Sequence, residues 1–140
     1  MHNAQSPDNT DPGIEREIIA KGKTAPRVVP ADIEANIASE WYFTADDGAF
    51  AYENRTCPLP NIAALVTPIS LTLLTFCVLV LRNGFTVVGT SACASPENFD
   101  AEIGCKIARA NAVQACWPLM GYALRERLAT ATTNPQGATS

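Results

Sequence analysis

The chain has 140 residues, of which 47% are hydrophobic, 17% charged and 7% aromatic; this excludes a wholly disordered polypeptide and allows one ordinary domain. Ten basic against fourteen acidic residues leave a net charge of −4, which argues against a dedicated nucleic-acid binder, because such a protein needs a basic face. The single histidine, His2, excludes a histidine-based triad or a multi-histidine metal site.

Residues 1–60 carry ten acids and five bases (net −5), and residues 61–140 four acids and five bases (net +1). Residues 1–30 are rich in Asn, Asp, Pro, Gly, Lys and Thr and read as a disordered N-terminal tail, with Ile14, Ile18 and Ile19 able to seed at most a short helix near Ile14–Lys21. The run ATATTNPQGATS from Ala129 reads as a second tail, residues 130–140. Between the tails, residues 31–129 are expected to form a single α+β domain. No apolar stretch follows Met1 as a secretory signal would require. The five cysteines, Cys57, Cys77, Cys93, Cys105 and Cys116, are odd in number, widely spaced and without a C-x-x-C pair. Reduced, mostly buried thiols are therefore expected, with no metal site and no cofactor.

The first element of that domain is a helix over 31–41, with Pro30 before it, Asp32 and Glu34 in its first turn, and Ile33, Ile37 and Trp41 on one face. Trp41-Tyr42-Phe43 reads as a core anchor, and Asp46-Asp47-Gly48 as a turn. Ile62 to Leu81 then presents fifteen apolar residues in twenty, without a charge. Two readings compete for it. One is a membrane-spanning helix at 62–81. The other is a buried segment stopped at Pro68 and followed by a strand from Leu71 to Leu81. Asn83-Gly84 favours the strand, because Asn-Gly is a two-residue hairpin signal and Phe85–Gly89 supplies a return strand. That register sets Leu81 opposite Thr86 and Val80 opposite Val87.

The hairpin, about 71–89, is apolar on both faces, with Phe76, Val78 and Val80 on one and Cys77, Leu79 and Leu81 on the other. Helices would cover one face, and a second subunit is the natural cover for the other, so a homo-oligomer is expected. Ser95-Pro96-Glu97 starts a helix over 96–116, capped by Ser95, which should bury Phe99, Ile103, Ile107 and Val113. It should bend or stop at Trp117-Pro118, leaving a last helix over 119–128.

The segments ASEWYFTADDG, LTFCVLVLRNGFTVVG, SACASPENFDAEIG, KIAR and WPLMGYAL together resemble the family of small tailed-phage proteins named after the gene-49 product of podophage N-four and the gene-66 product of phage Sf-six. The likeness runs discontinuously from about Ala31 to Leu128. It implies a phage or prophage origin, an intracellular accessory role and no catalytic residues, and it weighs against a membrane span. Cys105 and Ala110 depart from the GRKIAREN-like pattern of the family, which has Arg and Glu there.

No catalytic constellation emerges: Glu97, Asp100 and Glu102 are the acids expected in a helix's first turn, and neither a G-x-G-x-x-G nor a P-loop is present. The one ligand site with a mechanism is an anion socket formed by Thr90, Ser91 and Ser95 around a helix N-terminus. Arg82, Lys106 or Arg109 would contribute from a neighbouring subunit. The function expected is binding of a host protein or of a small anionic ligand such as a signalling nucleotide, in the host cytoplasm. The order of hairpin, polar loop and Ser-capped helix has a faint architectural likeness to phage proteins that sequester host immune signals. The alternative is an inner-membrane phage protein anchored at 62–81.

Overall fold

A computed structural model describes residues 12–23, 25–56 and 67–133. The described residues divide into two units, one of those up to Asn36 and from Trp117 onward, the other of those between Ile37 and Cys116.

The second unit is a three-stranded antiparallel sheet with helices. β1 (Ile37–Thr44), β2 (Leu74–Leu81) and β3 (Thr86–Ala92) lie in the order β1-β2-β3, so β2 is central. Strict alternation of burial along β2 follows from the two-residue period of a strand. Thr75, Cys77, Leu79 and Leu81 are buried, and the intervening Phe76, Val78 and Val80 are half-buried.

β2 disposes of the membrane-span reading. Leu74–Leu81, the second half of the candidate span, is a strand hydrogen-bonded on both sides. No helix of the described residues is long and apolar enough to cross a membrane. The physical reason lies in Thr75, Phe76 and the Val-rich end of the run, which suit a pleated surface, and in the hairpin partner that follows. Residues 57–66, which contain the first part of that run, lie outside the described residues. Ile69–Leu73 is a 3-10 turn, so the strand begins at Leu74 and not at Leu71.

The hairpin forms in a different register from the expected one: Val80 faces Thr86 and Leu79 faces Val87. The loop has three residues, Arg82-Asn83-Gly84, closed by Leu81 N–H on Phe85 O at 2.8 Å and Gly84 N–H on Leu81 O at 2.9 Å. Gly84 takes φ +87°, the left-handed position of a three-residue hairpin loop, which a side chain resists. Asn83 Oδ1 accepts the Phe85 N–H at 2.9 Å. Asn-Gly thus marks the turn correctly, and the extra residue Arg82 moves the pairing by one.

The helix expected over 31–41 is shorter. α2 (Pro30–Asn36) has Pro30 in its first turn and Val29 N–H bonded to Asp32 Oδ2 at 2.8 Å; Ile37–Thr44 is β1. Ser39, Trp41 and Phe43 alternate with Glu40, Tyr42 and Thr44 across its two faces, and the aromatic and β-branched end of the segment suits a strand. The Asp46-Asp47-Gly48 turn is instead the start of α3 (Ala45–Thr56). Thr44 N–H donates to Asp47 Oδ2 (2.9 Å) and Asp47 N–H to Thr44 Oγ1 (3.1 Å), a reciprocal cap that satisfies two otherwise orphaned donors.

The helices expected over 96–116 and 119–128 are one, α4 (Ala101–Thr133), which continues through Pro118. Proline removes one backbone bond there, while Ala115 before it and Leu119 and Met120 after it are good helix formers. Its N-cap is Asp100, whose Oδ1 accepts Ile103 N–H at 3.0 Å. Ser95 caps only a 3-10 turn, Pro96–Asn98, and makes no side-chain cap bond there. At the other end α4 runs four residues into the segment read as a tail. Thr130, Thr132 and Thr133 return their hydroxyls to carbonyls four residues back, at 2.9, 2.8 and 2.9 Å.

α4 meets the sheet through small residues. Gly104, Ala108, Ala112 and Cys116 recur every four residues and are its buried stripe. A Cβ at Gly89 of β3 would overlap the Ala108 carbonyl oxygen and the Ala112 nitrogen, so helix and strand backbones touch there. Gly104 lies against Thr75 in the same way, at 3.0 Å from its Oγ1 to a notional Cβ. The expected burial of Ile103 and Ile107 is overturned by this stripe: with the backbones this close, they flank the contact and stay 56% and 46% exposed.

In the first unit, α1 (Pro12–Ala20) falls within the segment read as a tail, and Arg27 holds Glu15 by two bonds of 2.6 and 2.9 Å. That pair lowers the Glu15 carboxyl below its ordinary pKa, through the hydrogen bond first. The class is therefore α+β, with helices and a sheet built on the hairpin, and the sequence does not announce β1.

Candidate functional site

The six residues expected to form an anion socket are spread over the second unit. Ser91 lies at the end of β3 and lines a cleft of about 190 Å³ with Thr75, Cys93, Asn98, Asp100 and the apolar Leu73, Phe99, Ile103 and Ile107. Thr90 is on the outer edge of β3, and its carbonyl accepts Asn111 Nδ2 at 2.8 Å. The Ser95 carbonyl accepts the Cys93 thiol at 3.1 Å and Asn98 N–H at 3.2 Å.

The three cations do not line that cleft. Lys106 pairs with Glu102 at 2.8 Å one turn away on the exposed side of α4. Arg109 pairs with Glu40 of β1 at 2.9 Å, and Arg82 sits in the hairpin loop, exposed. The charged side chain that does line the cleft is Asp100, which is also the cap of α4. Among the described residues no three His, Cys, Asp or Glu side chains gather as metal ligands would.

The Glu40–Arg109 pair belongs to a polar cluster on the helix-covered face. Tyr42 OH donates to Glu40 Oε1 at 3.2 Å, and Cys77, opposite Tyr42 in the register, lies beneath. Burial, then the neighbouring Cys77 and Glu40, push the Tyr42 phenol far above its ordinary pKa. Burial likewise pushes the Cys77 thiol up, which makes it a poor nucleophile. Both shifts favour the neutral tyrosine and the neutral thiol.

The opposite face is where apolar side chains meet solvent. Trp41 of β1, Val78 of β2 and Val88 of β3 stand in one row across the three strands. Trp41 is 62% and Val88 50% exposed. The next row contains Phe43 and Phe76, stacked with centroids 5.3 Å apart, and Gly48 of α3 lies 3.8 Å from the Phe43 ring by its notional Cβ. α3 therefore borders the Phe43 end, where Phe43 is still 39% exposed, and among the described residues the Trp41 row is open. Trp41, expected as a core anchor, is instead a surface residue, because β1 is an edge strand and its odd-numbered side chains point away from α4. The indole is held in position by Nε1 donating to Ser39 Oγ at 3.1 Å. Reading Ile37–Trp41 as helical hid this row; the alternation from Ser39 to Thr44 and the Thr44-x-x-Asp47 cap are the signals that reveal it.

A family model described as the phage protein (N4 Gp49/phage Sf6 gene 66) family matches residues 28–128, well over half of the chain. No curated protein matches, and no solved structure matches.

Proposed function

The chain belongs to the phage protein (N4 Gp49/phage Sf6 gene 66) family, and from that premise we propose that it is a non-enzymatic accessory protein that acts in the host cytoplasm by binding a host protein through the open face of its sheet. The observation that carries this reading is the row Trp41-Val78-Val88, with Trp41 62% exposed although a sheet position beside it is fully buried. Tryptophan is among the residue types from which protein contacts draw most of their energy. A three-strand face with the apolar row Trp41-Val78-Val88 across it suits another protein's surface better than a small molecule.

A second reading, a small anionic ligand such as a signalling nucleotide in a counter-defence role, has the cleft beside Ser91 in its favour. Its charge is the wrong sign, because Asp100 lines the cleft while Lys106 and Arg109 are engaged with Glu102 and Glu40. The host-protein reading is therefore preferred.

The test is affinity capture from host extract on immobilised wild-type protein and on Trp41→Lys, followed by calorimetry with the purified captured protein. The reading expects one stoichiometric host protein, lost on Trp41→Lys, with a negative heat-capacity change on binding that marks apolar burial. Equal capture by both proteins, or a bound nucleotide in its place, contradicts it.

A further inference from the structure

β3 is an outer strand: among the described residues its pairing is with β2 alone. The bonds Leu81 N–H to Phe85 O (2.8 Å) and Cys93 N–H to Leu73 O (3.0 Å) bracket the β2–β3 ladder. Because antiparallel pairs alternate, Val87, Gly89 and Ser91 turn their backbone groups toward β2, while Thr86, Val88 and Thr90 turn theirs to the outer edge. The contact from Asn111 to the Thr90 carbonyl agrees with that orientation.

Sheet edges invite pairing with another chain, and proteins guard them with charges, prolines or bulges. β1, the other edge, has two such guards, a bulge between Ile37 and Ser39 and the charged Glu40. β3 reads TVVGTSA, with no charge, no proline and an unbroken register. Its outward-facing residues Thr86, Val88 and Thr90 are β-branched and exposed. The two edges therefore differ in how they are guarded.

We propose that β3 pairs antiparallel with β3 of a second copy of this chain, about a two-fold axis at Val88, so that two three-stranded sheets become one of six strands. The strand is complementary to itself. A two-fold at Val88 sets Val88 against its own counterpart and Thr86 against the counterpart of Thr90, and every outward N–H of these residues meets an outward carbonyl. All three cross-strand pairs are uncharged and β-branched, which is favourable on a pleated surface. The Thr90 carbonyl keeps its Asn111 contact, since a carbonyl oxygen has a second lone pair. Such a contact closes on itself and stops at two copies. It extends the Trp41-Val78-Val88 row across the axis, but does not depend on that row binding a host protein.

The experiment is sedimentation equilibrium with residue-resolved amide exchange on the full chain at several concentrations. The expected mass is about twice 14.9 kDa. The Val87, Gly89 and Ser91 amides are protected at every concentration, whereas those of Thr86, Val88 and Thr90 slow by about tenfold or more only as the dimer forms. Val88→Pro removes the central outward N–H at a position where an edge tolerates proline and returns a folded monomer, while Val88→Thr remains dimeric. If Val88→Pro fails to fold, the wild-type exchange pattern decides. A wild-type monomer at millimolar concentration overturns the proposal. So does a dimer whose Thr86, Val88 and Thr90 amides exchange as freely as those of the hairpin loop, or one that survives a folded Val88→Pro.

Discussion

On one face of the sheet Cys77 and Leu79 are fully buried; one residue along, on the other face, Trp41 is 62% exposed in the row that contains Val78. Both faces are apolar in sequence, so hydrophobicity alone does not decide which is covered. What decides it is the partner. The covered face has Gly89 opposite the Gly104-Ala108-Ala112-Cys116 stripe of α4, and the absence of side-chain bulk on both sides lets backbone meet backbone. The open face has a tryptophan and branched side chains. Small residues select the internal contact, and large ones are left for an external contact.

The largest effect that breaks this comparison is expected at Gly89. Gly89→Leu forces α4 off β3, because even a Cβ overlaps the Ala108 oxygen and Ala112 nitrogen; a loss of about 3 kcal/mol or more, read from urea unfolding, is expected. Leu79→Ala leaves a cavity at a fully buried position and should cost about 2–5 kcal/mol by the same measurement.

Tyr42 gives a pH signature of the covered face. Its phenol is raised in the folded protein, so the fold favours the neutral form. Its contribution to stability is complete below the ordinary tyrosine pKa of about 10 and is lost as pH rises beyond it. Melting temperature should fall above that pH in the wild type and fall less in Tyr42→Phe. Smallest is the Glu40–Arg109 pair, whose side chains are 38% and 31% exposed; Arg109→Ala should cost about 1 kcal/mol or less after solvent screening.

Much of the covered face was legible in the sequence. The alternation of Cys77, Leu79 and Leu81 with Phe76, Val78 and Val80, the Asn-Gly turn and the small residues Ala108 and Ala112 all carry local signals. The open face was not, because Ile33, Ile37 and Trp41 also fit a helical spacing, and a seven-residue helix running directly into a strand mimics one longer helix. The Pro118 passage failed for another reason: proline's local cost is real, but a long helix of good formers absorbs it. The helix start was misplaced for a local reason: Asp100, not Ser95, caps α4. A three-residue loop in place of two, with Gly84 at φ +87°, shifted the hairpin register by one.

The most direct test of the division between the two faces is Trp41→Lys, with urea unfolding and retention of the host protein measured on the same preparation. The account predicts an unfolding free energy within about 0.5 kcal/mol of wild type and complete loss of retention. Loss of the folded state, or a folded variant that still holds the host protein, contradicts it.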